Sequence, residues 1–439
     1  MNPSAASDSG HAAMTTFVAT CDLAGQLRGR SRAVLTPDDR SKPGVGWVPA
    51  NLAIDAFGHL VEPNEFGSTG DLRLSPAGIA MTIPAVGPIP AATIEMANQT
   101  HLDGKTWECC PRGFLESALD DLERESGVRV VAAFEHEFHL FESPDQPPFS
   151  FRALRDAEPF GSDLVSTLAT AGLRPETWLA EYGSGQYEIT LAPSPGLRAA
   201  DSAVLLREAV RDLASRHHRR ATFSPVVAPG AIGNGVHVHL SLVRADADQP
   251  VLFDPARPGG LSDIGAAFSA GILKHASAIC AVSAPSPISY RRLLPHQWSS
   301  SGAYLASRDR ESLLRICPVD LTDESAACAG YNLEFRAGDA AANPYLLLGT
   351  LVRAGLAGIK SKERAQVWTH DLTESDLRTI PSLPRSLPEA LSALDSDHEA
   401  KSWFPPDLLS TYLSVKQSEL EHVRDLDDAA ACQRMTDVY

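Results

Sequence analysis

One segment constrains this chain more than any other. Residues 128–141 read VRVVAAFEHEFHLF, a run dominated by branched and aromatic side chains, which predicts a strand from Val128 to Phe141. In a strand, residues two apart share a face. Glu135 and Glu137 therefore point the same way inside an otherwise apolar stretch. Two buried like charges are costly unless a cation neutralises them. Any fold for this chain must either solvate that face or fill it with positive charge, and the strand alone leaves both open.

Three further segments carry unusual polar pairs. Glu181-Tyr182-Gly183-Ser184-Gly185-Gln186-Tyr187-Glu188 sets two carboxylates around a Gly-rich turn. Glycine there lets backbone approach a ligand, although a turn with incidental acids has the same sequence. The spacing fits neither a P-loop nor a dinucleotide fingerprint. Gly233-Asn234-Gly235-Val236-His237-Val238-His239-Leu240-Ser241 predicts a strand with His237 and His239 on one face and Val236, Val238 and Leu240 on the other. In Asn332-Leu333-Glu334-Phe335-Arg336, Glu334 and Arg336 share a face, either as a local ion pair or as part of a site. Upstream lie Arg291, Arg292, Arg308, Arg310 and Arg315. They form a solvated basic face or an anion pocket, since Arg matches carboxylate and phosphate bidentately.

Oxygen-rich donor sets with little histidine suit Mg²⁺ or Mn²⁺ better than zinc. Divalent ions beside arginines suit phosphoryl transfer. Charge balance bears on what this pocket serves. Lys plus Arg total 38 against 55 Asp plus Glu, a net charge of −17, which argues against nucleic acid or an anionic membrane as partner. Seven cysteines without a C-x-x-C fit reduced core thiols. No stretch approaches the ~18 apolar residues of a membrane span. The opening MNPSAASDSGHAAM is polar and reads as a disordered tail over residues 1–14 rather than a signal peptide. A cytoplasmic protein is expected.

The rest of the chain orders these segments. Residues 15–105 are short apolar runs broken by Gly, Pro and Asp, including the turn Asp22-Leu23-Ala24-Gly25, and predict a small β-rich unit. From 106 to 439, strands and long helices mix, which gives an α+β class. Helices are predicted from Pro111 to a stop at Gly127, over Asp201–Arg219 with Asp201 as cap, over Ser262–Val282, from Asn343-Pro344 onward, and finally over Leu408–Arg424. Residues 370–400, polar and Pro-rich, read as a surface excursion.

The four polar segments, in this order, resemble the glutamine synthetase family: the E-x-E strand, E-x-G-x-G-Q-x-E, G-x-G-x-H-x-H-x-S, and E-x-R followed by N-P-Y-L. The likeness spans essentially the whole chain, beginning at Asp22-Leu23-Ala24-Gly25-Gln26-Leu27-Arg28-Gly29. It implies an N-terminal β-grasp domain, a C-terminal catalytic domain, and a homododecamer of two rings with active sites shared between neighbours. Carried over by motif, Glu137, Glu181 and Glu188 match the ligands of a metal near the amino acid. Glu135, His237 and Glu334 match those of a metal that bridges the ATP phosphates. His239 and Ser241 would lie at the nucleotide, Arg292, Arg336 and Gly233 at glutamate, and Arg310 and Arg315 at the transferred phosphate. The implied reaction phosphorylates the γ-carboxylate of glutamate with ATP, then lets ammonia or an amine attack the acyl phosphate.

Departures from the family pattern point to the acceptor. Where glutamine synthetases proper carry a flap Glu that helps deprotonate ammonium, this chain has Trp298, within Pro295-His296-Gln297-Trp298-Ser299. Trp has no basic atom to take that proton. The ammonium-binding Asp corresponds to Asp55 in Ala53-Ile54-Asp55-Ala56-Phe57-Gly58-His59, a segment resembling the γ-glutamylpolyamine and γ-glutamylamine ligase branch. Ile232 stands where the family has Asn, and no Tyr for adenylylation matches around His370-Asp371-Leu372. The expectation is a ligase joining glutamate to a primary amine other than ammonia. Its rivals are an ammonia-using glutamine synthetase and a catalytically silent scaffold.

Overall fold

The computed structural model describes residues 14–34, 44–62, 64–85, 89–295, 299–300 and 302–439. Most of the predicted tail, and Trp298, lie outside them.

The N-terminal strands β1 (Met14–Cys21), β2 (Leu27–Val34), β3 (Val45–Trp47), β4 (Leu72–Ile83) and β5 (Ala92–Thr100) form one sheet in the order β2-β1-β5-β4-β3. The β1–β5 pair is parallel and the other pairs are antiparallel. The turn between β1 and β2 closes on Gly25 at φ 74°, a left-handed conformation that glycine adopts without a steric penalty.

A second sheet has ten strands: β6 (Val128–Leu140), β7 (Pro175–Ala180), β8 (Gln186–Leu191), β9 (Ser194–Pro195), β10 (Ala221–Thr222), β11 (Val236–Arg244), β12 (Gly302–Ala306), β13 (Ser312–Ile316), β14 (Leu333–Phe335) and β15 (Val367–Trp368). Eight run in the order β15-β12-β13-β14-β11-β6-β8-β7, with β9 and β10 paired to β6. Phe134 and Phe138 of β6 and Val238 of β11 are buried on one face, against which the helix Gly196–Arg216 packs. The acid-bearing residues of the same strands alternate to the other face.

The helix predicted to end at Gly127 spans Pro111–Ser126, with Gly127 at φ 71°. Asn343 caps Pro344–Ser361 by accepting from the Tyr345 and Leu346 amides. Other helices differ from expectation. Asp201 is not a cap, because that helix begins at Gly196, after Pro195, without a side-chain cap. Asp201 instead turns inward, 1% exposed, and takes both arms of Arg112 at 2.9 and 3.1 Å and the Tyr345 hydroxyl at 2.6 Å. Arg112 also donates to Asn98 and to the Ala77 carbonyl, so this buried network joins the small sheet to the large unit.

The predicted helix Ser262–Val282 is two, Asp263–Lys274 and Ala276–Ser283, meeting at 75°. His275 sits at the corner, with Nδ1 2.6 Å from Asp397. The presumed excursion over 370–400 contains the helix Leu387–Ser396, whose Leu387, Ala390 and Leu394 are buried and which packs on Ala276–Ser283. Another helix, Asp428–Thr436, follows Pro406–Val423, so the latter is not the final one. All seven cysteines are unpaired. Among the described residues, no single helix is long and apolar enough to cross a membrane.

Candidate active site

Strand register assembles the polar residues. Glu137 of β6 faces Glu188 of β8, and Glu135 of β6 faces His237 of β11. His239 faces Glu334 of β14, which in turn faces Arg315 of β13. Five adjacent strands thus carry a slanted row of acids, histidines and an arginine on one face.

Carboxylate oxygens of Glu135, Glu137 and Glu188 lie within 4.8 Å of one another, as do donor atoms of Glu135, His237 and Glu334. Glu135 belongs to both groups. Glu181 follows β7, lines the same cavity of ≈ 490 Å³, and shares a hydrogen bond with Glu188. Burial first, then the charges of Glu135, Glu137 and Glu181, push the Glu188 carboxyl up to about 10. Burial and Glu137 raise Glu181 as well. Three or four acids crowded this closely fit a dication, which would offset the repulsion that raises them.

The second group behaves differently. Burial would raise Glu135, but hydrogen bonds from His237 and His239 outweigh it and hold the carboxyl well below the usual range. His237 Nδ1 is 2.7 Å from Glu135 Oε1 and 3.4 Å from Glu334 Oε1. Glu334, 2% exposed, is bound by Arg315 Nη1 at 2.7 Å and by Arg336 Nη1. Burial opposes its charge, yet His237 and Arg336 lower it to about 2. The local ion pair is therefore present at Glu334, and the same carboxylate belongs to the donor group with Glu135 and His237. A metal held there would share the carboxylate with two guanidinium groups.

The remaining predicted residues divide. Gly233, Arg292, Arg310, Arg315 and Arg336 line the same cavity. Gly233 is required by space, since a Cβ there would come 2.4 Å from Arg292 Cγ and 2.9 Å from the Pro225 carbonyl oxygen. Arg292 Nη2 donates to the Gly338 carbonyl at 2.6 Å, and Arg336 Nε to the Arg310 carbonyl at 2.7 Å. Arg291 turns away to Asp428, and Arg308 lines a different cavity, so the arginine cluster splits.

His239 and Ser241 line an adjoining, mainly apolar cavity of ≈ 470 Å³ with Val131, Ala133 and Val243. It shares Glu135, Leu179, Glu188 and His239 with the first, so the two cavities meet at the row of acids and histidines. Asp55 lines neither. It is 0% exposed, and its carboxylate accepts from the Phe57 and His59 amides and the Ser418 hydroxyl.

The sequence assigns no role to several residues that line or brace the site. Gln186 Nε2 donates at 2.9 Å to both the Gly233 carbonyl and Asn234 Oδ1, tying the two Gly-rich turns together. Asn332 Oδ1 holds His239 Nδ1 at 2.9 Å, and Cys317 lies 3.6 Å from the same nitrogen. Phe149, Tyr182 and Ile232 line the first cavity although they are 54, 44 and 43% exposed. Gln186, Tyr182 and Asn332 adjoin motif acids in sequence, which is a signal. Nothing marks Cys317 or Phe149.

A sheet that gathers acids beside arginines and an apolar cavity fits phosphoryl transfer with a dication. Comparison with known proteins narrows it. The glutamine synthetase catalytic domain family matches residues 108–434, and the glutamine synthetase N-terminal domain family matches residues 5–107. The chain belongs to the glutamine synthetase family, ATP-dependent ligases that form carbon–nitrogen bonds and use divalent metal. It is 31% identical over 405 residues to the gamma-glutamylpolyamine synthetase of Streptomyces coelicolor, covering 88% of this chain and 85% of that one. It is 28% identical over 373 residues to the glutamine synthetase of Methanocaldococcus jannaschii, covering 81% and 80%. A crystal structure described as a novel glutamine synthase homolog superposes with a TM-score of 0.90 at 39% identity over all of both chains.

Proposed function

We propose that this chain forms a γ-glutamyl amide from glutamate and a primary amine that carries an apolar group. The observation behind this choice is the mouth of the cavity. Phe149 and Tyr182 meet edge to face at 4.7 Å, and Ile232 lies on the same cavity. Exposed aromatic and branched side chains at a polar site offer an apolar substituent a surface that ammonia cannot use. The kinship with a named gamma-glutamylpolyamine synthetase supports an amine acceptor.

In this reading Glu137, Glu181 and Glu188 would hold one Mg²⁺ or Mn²⁺, and Glu135, His237 and Glu334 another. Bound there, the ions supply charge that offsets the phosphates of ATP. Arg292, Arg336 and the backbone at Gly233 hold the α-carboxylate and amino group of glutamate. His239 and Ser241 face the nucleotide. A γ-carboxylate oxygen attacks the terminal phosphorus, and ADP leaves. The amine nitrogen then attacks the acyl carbon, the carbon–oxygen bond to phosphate breaks, and the amine sheds a proton. Arg310 and Arg315 offset charge on the transferred group. We further propose that the chain divides between residues 105 and 106, and that it works in the cytoplasm as a homododecamer.

The test is phosphate release from ATP with glutamate and Mg²⁺, comparing ammonia with alkyl- and arylamines and identifying products by mass. Release that requires an apolar primary amine, with its γ-glutamyl adduct formed, supports the reading. Release only with ammonia, yielding glutamine, replaces it with the activity for which the Methanocaldococcus relative is named. Silence with every acceptor points to another acid substrate or to a scaffold.

A further inference from the structure

Far from the acid row in sequence, Asp55, His59 and His422 bring one donor atom each to a common point. His59 Nδ1 lies 3.1 Å from His422 Nε2, His422 Nε2 lies 3.3 Å from Asp55 Oδ2, and His59 Nδ1 lies 3.7 Å from Asp55 Oδ2. A circle through the corners of that triangle has a radius of about 2.0 Å, so one ion can sit at ordinary zinc–nitrogen and zinc–oxygen bond lengths from all three atoms. Two nitrogens and a carboxylate oxygen at these separations form one face of a coordination tetrahedron.

A second observation concerns charge. Asp55 is 0% exposed, and among the described residues its only ion-pair partners are these two histidines. A buried carboxylate is costly unless a cation sits beside it. A third concerns orientation. The Phe57 and His59 amides fix Oδ1, at 3.0 and 2.9 Å, and the Ser418 hydroxyl takes one side of Oδ2 at 2.9 Å. The same Oδ2 lies 3.3 Å from His422 Nε2 and 3.7 Å from His59 Nδ1. Outer hydrogen bonds of this kind are what orient a metal-ligating carboxylate. The two histidine rings stack at 4.8 Å, and His422 also packs on Phe57 at 4.6 Å, which holds the pair in place.

We propose that Asp55, His59 and His422 form a second metal site, for a four-coordinate dication of the zinc class, separate from the oxygen-rich site. Two imidazoles and one carboxylate favour zinc or its neighbours over magnesium. His59 is half exposed, which leaves the fourth position open to water. The ligands come from a loop of the N-terminal unit and from the helix Pro406–Val423, separated by 363 residues. The ion staples the two ends of the chain and stabilises the folded state by binding it alone. It also gives Asp55 work other than holding the amine.

The test uses the full chain, stripped with EDTA and then held in excess Mg²⁺ to fill the oxygen-rich site. Titration with Co²⁺ should produce the strong visible absorption of four-coordinate cobalt, at one ion per chain. Zn²⁺ should displace that band and raise the Tm by several degrees. His422→Ala and His59→Ala should each lose both responses, whereas Glu188→Gln should keep them. Two variants guard against misfolding of either one. No band in the wild-type protein, or a band unchanged in both histidine variants, overturns the proposal and leaves the pair as a plain hydrogen bond.

Discussion

Gly233→Ala tests whether Arg292 holds the acid substrate. The added Cβ would meet Arg292 Cγ at 2.4 Å and Cδ at 2.7 Å, with the Pro225 carbonyl oxygen at 2.9 Å behind it. The carbonyl is backbone and cannot swing away, so the Arg292 stem must move. That stem is 5% exposed, and its guanidinium is fixed on the Gly338 carbonyl at 2.6 Å and the Arg336 carbonyl at 3.3 Å. Displacing it costs glutamate its hydrogen bond to this charged group, about 1.5–3 kcal/mol. At 1.4 kcal/mol per tenfold, glutamate binding should weaken by about 10- to 100-fold. The loss should appear in KM for glutamate, measured by ADP formation at saturating amine, with KM for ATP nearly unchanged. A well-folded variant with wild-type KM for glutamate would refute the assignment of Arg292.

Glu188→Gln keeps the shape of its side chain but cannot ionise to meet a dication, so Mn²⁺ affinity in a direct titration should fall by about 10- to 100-fold or more; unchanged affinity would exclude Glu188 as a ligand. Asp201→Ala leaves the Arg112 guanidinium, 4% exposed, without its carboxylate, and urea unfolding should show a loss of about 3–5 kcal/mol. Burial pushes Asp339 up to about 6, above its unfolded value, so its contribution is fully present below pH ~4 and is lost as pH rises to ~6. Relative to Asp339→Asn, the wild-type protein should therefore lose about 3 kcal/mol of stability across that window, and parallel pH profiles for the two proteins would contradict this.

Much of the site was legible because alternation in a strand is a strict rule. Glu135 with Glu137, and His237 with His239, could be assigned to one face from spacing alone. What spacing could not give was which residues stand opposite one another. Glu137 meets Glu188, and His239 meets Glu334, through pairings between distant segments. Helix ends were less legible where tertiary contacts competed with local signals. Asp201 has the residue type of a cap, but Arg112 and Tyr345 draw it into the core while the helix starts five residues earlier, at Gly196. Alanine-rich continuity hid the corner at His275, because the histidine's bond to Asp397 is absent from the local sequence. The polar stretch 370–400 buries one side of the helix Leu387–Ser396, with Leu383 and Ala400 beside it, a pattern diluted by its prolines and acids.

The row across β8, β6, β11, β14 and β13 has a consequence for how the molecule matures. Glu135 and His237 are 102 positions apart, so their encounter waits on closure of long loops. A slip of one residue in any pairing would turn that strand's acids and histidines to the helix-packed side. On the proposed metal assignment, affinity for the ions is an emergent trait of the finished sheet, acquired late, and a misregistered chain would betray itself by failing to take up metal.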